Sequence, residues 1–124
     1  MMLGRHEKAV EHFKKAVWLN PNHHEAWNNF GVVLGLNPAT LQEAKKCFEK
    51  ALSLKPNYQN AIRGLAIAEK GLGNESRSLE LFRRLIKEFK YNPCKDATLS
   101  DSLFDWLNGH HELFDDIGLF YGVD

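Results

Sequence analysis

Two stretches of the chain, EKAVEHFKKAVWLNPN at residues 7–22 and QEAKKCFEKALSLKPN at residues 42–57, share one pattern of small, aromatic and proline positions. Four positions of the first stretch recur 35 residues later, namely Ala9, Phe13, Ala16 and Pro21, which return as Ala44, Phe48, Ala51 and Pro56. Self-similarity at a fixed period of this length is typical of a helical repeat array. Because the apolar positions follow a three- and four-residue spacing, each stretch is predicted to be an amphipathic helix.

The repeated pattern continues along the chain. A looser third copy, SRSLELFRRLIKEF at residues 76–89, places Ser78, Phe82 and Leu85 at the repeated positions. Two related segments, EAWNNFGVVLG and NAIRGLAIAEKG, lie between the copies, so each unit is predicted to contain two helices. The predicted helices cover residues 5–19, 23–36, 41–54, 58–71 and 75–90. Asn22 with Glu25, and Thr40 with Glu43, are predicted to cap the second and third of them.

The pattern resembles the tetratricopeptide repeat family over roughly residues 3–90. The matching positions are Trp27 and Gly31 in a first helix, followed by Ala44, Phe48, Ala51 and Pro56 in the second. A glycine such as Gly31 lets two helices approach closely, and Phe48 is predicted to fill the space between them. The resemblance implies an all-α fold, a right-handed α–α superhelix of the solenoid type. It also implies that Trp27 is a core residue.

The resemblance divides the chain into an array at residues 1–95 and an acidic segment at residues 96–124. The array consists of a half repeat at 1–22 and repeats at 23–57 and 58–91. Gly4 aligns with Gly73 at the turn between the two helices of a unit, so the first unit is predicted to lack most of its first helix. An edge of apolar residues would then be uncovered, comprising Ala9, Phe13, Ala16 and Val17. A second copy of the chain is one predicted cover for this edge.

In this family the first helices of successive units line a concave surface that binds a partner. The residues that the resemblance places on this surface are Glu25, Asn28, Asn29, Val32 and Leu36, followed by Asn60, Arg63, Gly64, Ile67 and Lys70. An Asn side chain can donate to a carbonyl and accept from an amide of an extended peptide at the same time. The alternative is that Asn28 and Asn29 are solvated surface amides, as most exposed polar residues are.

The charges are distributed unevenly, although the formal net charge is zero. Residues 1–95 hold all 16 Lys and Arg against nine Glu, whereas residues 96–124 hold six Asp and Glu112 with no Lys or Arg. From Leu99 onward apolar residues recur at helical spacing, at positions 99, 103, 106, 113, 117 and 120, with Thr98 as the predicted cap. This amphipathic helix is predicted to cap the end of the array. The alternative is that its SLFDWL segment is a ligand for another protein's groove.

Enzymatic and metal chemistry find little support in the sequence. The segment HELFD at residues 111–115 lacks the second histidine of the zinc-protease pattern, and the chain contains no glycine-rich phosphate loop. Cys47 and Cys94 have neither metal-ligand spacing nor a disulfide framework, which favours a reducing, cytoplasmic setting. No apolar run is long enough for a membrane helix.

The predicted function is therefore a non-enzymatic scaffold that binds a protein or peptide partner, without cofactor or metal, and not a membrane or nucleic acid. RNA binding by a helical-repeat array is the alternative of another class, because a 35-residue period also suits pentatricopeptide arrays. The basic cluster of Arg83, Arg84 and Lys87 is small for that purpose, and Glu80 lies one turn before Arg84.

Overall fold

The computed structural model describes residues 2–113, and every regular element in that range is helical. The α-helices of this range are α1 (Met2–Leu19), α2 (His24–Gly35), α3 (Leu41–Leu54), α4 (Gln59–Gly71), α5 (Glu75–Phe89) and α6 (Asp101–Asn108). Short 3₁₀ turns lie at Pro38–Thr40, Pro93–Lys95 and His111–Leu113. The all-α prediction is confirmed. The chain divides into two compact units, Met1–Leu81 and Phe82–Asp124, which are described in turn.

In the first unit, consecutive helices pack on one another. α1 contacts α2, α2 contacts α3, α3 contacts α4, and α2 also contacts α4. The buried residues of α3 recur every three or four positions, which is the spacing of one helical face, and they are Ala44, Cys47, Phe48 and Ala51. The predicted boundaries of α2, α3 and α4 agree with the structure to within one residue.

Phe48 is the centre of this packing and is only 3% exposed. A Cβ built on Gly31 of α2 would lie 2.8 Å from Cε1 of the Phe48 ring, and one built on Gly64 of α4 would lie closer still. The predicted role of Phe48 between two helices is confirmed. Gly64, which the resemblance places on the partner-binding surface, is half-buried, and its missing side chain makes room for the Phe48 ring. Ala66, the residue predicted to allow the close approach in α4, is also buried.

Buried polar groups join α4 to its neighbours. Ser78 of α5 is fully buried, and its hydroxyl donates to the carbonyl of Ala66 at 2.7 Å. Glu69 of α4 is 3% exposed and accepts a hydrogen bond of 2.8 Å from Nδ2 of Asn74. Its Oε1 also lies 3.4 Å from Nζ of Lys45 in α3. These bonds supply the partners that buried polar groups require.

The start of α1 and the capping contacts of α2 and α3 differ from the predictions. α1 already begins at Met2, so Gly4 lies inside a helix and not in a turn. The cap of α2 is His23, not Asn22, because Nδ1 of His23 accepts the amide hydrogen of Ala26 at 3.1 Å. Thr40 does precede α3, but its hydroxyl donates to the carbonyl of Leu34 at 2.6 Å and caps no α3 amide.

In the second unit, α6 is shorter than the predicted helix. It begins after Ser100, whose Oγ accepts the amide hydrogen of Leu103 at 3.2 Å, so the predicted cap at Thr98 is wrong. It ends at Asn108, where Gly109 follows. Leu103 and Leu113 are buried as the spacing predicts. Leu107, which was not among the predicted positions, is buried, whereas the predicted Trp106 is half-buried. Positions 117 and 120, which the prediction also assigned to this helix, lie outside the described residues.

Candidate functional site

The predicted partner-binding residues of the first unit lie on α2, on Leu36 just after it, and on α4. Five of them are exposed, namely Glu25, Asn29, Val32, Leu36 and Asn60. Three are half-buried, namely Arg63, Ile67 and Lys70. Because α2 and α4 contact one another, a single ligand can touch both helices. We call the set Asn28, Asn29, Val32, Asn60, Arg63 and Ile67 the α2–α4 surface.

Asn28 differs from the other residues of this surface because it is buried, at 6% exposed. The prediction that it stands open on a groove is therefore wrong. Its Oδ1 is fully buried and accepts no hydrogen bond within the described part of the chain. Leaving a buried acceptor unpaired costs about 1 to 3 kcal/mol, so such an atom in a native structure calls for an explanation.

Two of the predicted residues already have polar neighbours. The ammonium of Lys70 lies 3.3 Å from Oε2 of Glu75, and Oε1 of Glu25 lies 3.9 Å from Nε2 of His23. The His23 and Glu25 side chains are mostly exposed, whereas the Lys70 side chain is 29% exposed. An ion pair at an exposed position stabilises by about 1 kcal/mol or less.

An aromatic contact joins the starts of α2 and α4, and the sequence reasoning missed it. The rings of His24 and Tyr58 meet edge to face with their centroids 4.9 Å apart. Nζ of Lys55 lies 5.4 Å from the centroid of the Tyr58 ring, within the range of a cation–π interaction. The repeat spacing could have predicted this contact, because His24 and Tyr58 lie 34 positions apart at corresponding helix starts.

A separate apolar depression lies between α1 and α2, with a volume of about 740 Å³. Its apolar walls come from Val17, Trp18, Pro21, Trp27 and Phe30, and we call these residues the Trp18 groove. Trp18 is 81% exposed, and Nε1 of Trp27 donates to the carbonyl of Pro21 at 2.8 Å. The prediction that Trp27 is a core residue is wrong, because it is half-buried and lines this groove.

The predicted apolar edge of α1 is partly covered. Val17 is 7% exposed, so its place on an exposed edge is a wrong prediction, while Ala9, Phe13 and Ala16 are half-buried. Ala9 instead lines a second cavity of about 740 Å³ together with Leu36. In the same region a ring nitrogen of His6 lies 2.9 Å from the carbonyl of Val33, which ties α1 to α2.

Between residues 2 and 113, the structure contains no group of three or more His, Cys, Asp and Glu side chains able to hold a metal ion. No helix of this range is long and apolar enough to cross a membrane. Both cysteines are free thiols. Burial, and to a smaller extent the charge of Glu43, raises the pKa of the Cys47 thiol to about 12.

At the start of the zinc-like segment, within the residues that the structure describes, there is a local pair. His110 Nδ1 lies 3.2 Å from Oε1 of Glu112. A backbone hydrogen bond, and after it the contact with His110, lowers the pKa of the exposed Glu112 carboxyl. The pair therefore favours an ionised carboxylate, which is an ordinary surface arrangement.

Helices that pack on their neighbours along the chain, each pair built on one repeated sequence pattern, define a helical-repeat protein. Residues 2–23 and 24–58 each match the model of the tetratricopeptide repeat. This part of the chain therefore belongs to the tetratricopeptide repeat family, as the sequence pattern predicted.

Relatives with similar sequences include two peroxisomal targeting signal receptors. The receptor of Kluyveromyces lactis is 36% identical over 66 residues, which are 53% of this chain and 12% of the receptor. The receptor of Saccharomyces cerevisiae is 33% identical over 67 residues, 54% of this chain and 11% of the receptor. An uncharacterized protein of Methanocaldococcus jannaschii is 38% identical over 52 residues, 42% of this chain and 59% of that protein. The chain thus matches only a small part of either receptor.

A solved structure supports the fold. The crystal structure of the MamA protein aligns with a TM-score of 0.64 and 20% sequence identity, and it covers 80% of this chain and 54% of that chain. At this level of identity the likeness concerns the fold alone. It agrees with the predicted fold class, an all-α superhelical repeat.

Proposed function

We propose that this chain is a non-enzymatic interaction module that binds an extended segment of another protein on the α2–α4 surface. Membership of the tetratricopeptide repeat family and the similarity to two receptors support a protein-binding scaffold. The observation that carries the choice of surface is Asn28, whose buried amide oxygen has no partner within residues 2–113. A buried polar group that lowers the stability of the folded chain is typical of a functional site.

The side chains of this surface match the chemistry of an extended peptide. Such a peptide offers amide hydrogens and carbonyl oxygens in alternation, and the exposed Asn29 can accept the first and donate to the second. A contact with Asn28 requires that the bound state uncover its amide oxygen. Arg63 brings a guanidinium, which recognises carboxylates in a bidentate manner. Val32 and Ile67 provide apolar contact beside these polar groups. The surface therefore favours a peptide with a free carboxylate or an acidic side chain and at least one apolar residue.

The first probe follows from the names of the two receptors. A C-terminal Ser-Lys-Leu sequence is a peroxisomal address that receptors recognise. We expect a fluorescently labelled peptide ending in Ser-Lys-Leu with a free carboxylate to bind with a measurable anisotropy change. The matched control is the same peptide with a C-terminal amide, which removes the charge offered to Arg63. Selection from a displayed library of extended peptides extends the search to other ligands.

Variants of the full chain distinguish this surface from the rest of the molecule. Asn28→Leu and Arg63→Ala should each lower the affinity for the selected peptides at least tenfold. Trp18→Ala, on the separate Trp18 groove, is the control and should leave the affinity unchanged. Failure to select any peptide would overturn the proposed function, as would peptides whose affinity is indifferent to both Asn28→Leu and Arg63→Ala. Rejection of the Ser-Lys-Leu peptide with success of others would exclude only the peroxisomal signal.

A further inference from the structure

Two large apolar side chains at the end of α1 are exposed to solvent beside the Trp18 groove. Trp18 is 81% exposed and Leu19, next to it, is 76% exposed. Burying one large apolar side chain is worth roughly 1.5 to 3 kcal/mol, so two such neighbours beside a depression indicate an interaction surface. The depression is open, with a volume of about 740 Å³, so it can receive side chains from a partner surface.

The charge at the rim of the groove indicates which ligand fits. Lys14 and Lys15 line the depression and are exposed, with Glu11 as the single acidic residue among the lining residues. An occupant should therefore combine large apolar side chains with acidic ones. A lysine near an exposed apolar depression attracts such a segment from a distance, and this attraction weakens as salt is added.

The chain itself contains a segment of this composition. Residues 114–124 read FDDIGLFYGVD, with six apolar or aromatic residues, three Asp and no Lys or Arg. The wider segment from residue 96 onward holds seven acidic residues and no basic ones, whereas every Lys and Arg of the chain precedes it. The basic rim of the Trp18 groove in one copy of the chain is therefore complementary in charge to the acidic segment of another copy.

We propose that the Trp18 groove binds residues 114–124 of a second copy of this chain, in a head-to-tail contact. The segment supplies apolar side chains for an apolar depression, and its aspartates carry the charge opposite to that of Lys14 and Lys15. Because the two surfaces differ, each copy can receive one segment and donate another, so assemblies grow beyond the dimer unless they close into a ring. This contact does not involve the α2–α4 surface and does not depend on the peptide-binding proposal.

Reversing the charges on each side tests the contact in the full chain. One variant combines Lys14→Glu with Lys15→Glu, and the other combines Asp115→Lys with Asp116→Lys. Sedimentation velocity or light scattering across concentration should show association that is at least tenfold weaker for each variant alone than for the wild-type chain. An equimolar mixture should restore association, because each variant then offers a surface complementary to the other. Wild-type association should weaken between 50 mM and 500 mM salt.

The exposed tryptophan provides a second test with a matched control. Trp18→Ala should weaken association at least tenfold. Leu36→Ala is the control and should leave association unchanged, because Leu36 is 73% exposed but does not line the Trp18 groove. Circular dichroism checks that all variants keep their helices. A wild-type chain that stays monomeric at several hundred micromolar overturns the proposal. Full association of the Asp115→Lys, Asp116→Lys variant by itself also overturns it, in favour of a symmetric contact between two α1 edges.

Discussion

Phe48 of α3 lies so close to Gly64 of α4 that a methyl group on the Gly64 Cα would overlap the ring. The same ring meets Gly31 of α2 on the other side, where a Cβ would lie 2.8 Å away. One aromatic side chain therefore sets the spacing of α2 and α4, the two helices that carry the proposed peptide-binding surface. Atoms this close to a ring that is 3% exposed leave it no free space to move aside.

Gly64→Ala should destabilise the fold by about 1 to 3 kcal/mol, the usual cost of overfilling a packed core. The sign is the informative part, because Ala normally stabilises a helix interior relative to Gly by about 0.5 to 1 kcal/mol. Gly4→Ala in α1 is the matched control, since an added Cβ there meets nothing within 4 Å and should be neutral or stabilising. Urea denaturation monitored by circular dichroism measures both. A stabilising Gly64→Ala would contradict the packing described for Phe48.

Asn28→Leu should raise the free energy of unfolding by about 1 kcal/mol, because it replaces a buried, unpaired amide with an apolar group of similar size. The same change should abolish peptide binding if the amide is kept for a ligand. Asn29→Leu is the comparison, because Asn29 is exposed and its replacement should change stability by less than about 0.5 kcal/mol. A clear loss of stability in Asn28→Leu would show that the amide has a partner in the folded chain.

Lys45→Met should cost about 1 to 3 kcal/mol, because it removes the ammonium 3.4 Å from the buried Glu69 carboxylate. The estimate is held below the usual value for a broken buried pair because the Lys45 side chain is 23% exposed. The double variant Lys45→Met, Glu69→Leu should recover part of that loss, since no uncompensated charge remains. A double-mutant cycle measured by urea denaturation gives the coupling free energy between Lys45 and Glu69. Purely additive effects would mean that the two side chains do not interact.

Cys47 should make stability depend on alkaline pH. Its pKa is raised to about 12 in the folded chain, mainly by burial, whereas an unfolded thiol titrates near about 8.5. Between these values the unfolded chain has lost a proton that the folded chain keeps, so stability falls as pH rises, by up to about 1.4 kcal/mol per pH unit. Below about pH 8 the contribution is constant.

The difference in unfolding free energy between wild type and Cys47→Ala, measured from pH 8 to 10, isolates this effect from other titrating groups. A difference that does not change with pH would contradict the raised pKa of Cys47. The exposed Cys94 provides an internal comparison in the native chain, where a thiol reagent should modify it well before Cys47. Equal rates would contradict the burial of Cys47.

Much of the fold could be predicted from periodicity. The spacing of Ala44, Phe48 and Ala51 predicts a buried helical face, and the structure buries all three. The starts of helices were less predictable, because several residues compete to cap the same amides. His23 and Ser100 take the positions predicted for Asn22 and Thr98. Asn is the more common N-cap residue, so the cap at His23 depends on which side chain the turn brings to the first amides.

The candidate site was predicted only in part. The helices that carry it followed from the repeat, but the surroundings of individual side chains did not. Asn28 and Asn29 are adjacent and chemically identical, yet one is buried and the other exposed. Trp18, the most exposed large apolar residue of α1 in the described structure, was not among the residues of the predicted exposed edge, whereas Phe13 was. Their exposure depends on which neighbouring helix covers each turn.

Helical periodicity and side-chain volume are local properties. The repeat period, the pairing of helices in a repeat and the small and aromatic residues that pack between helices therefore follow from the sequence alone, as does the separation of basic and acidic segments. The tertiary structure decided that Gly64 accommodates Phe48, that Asn28 is buried without a partner and that Trp18 and Trp27 line an open groove. These features depend on the distance between helices that are far apart in the chain, which close packing fixes and local sequence does not.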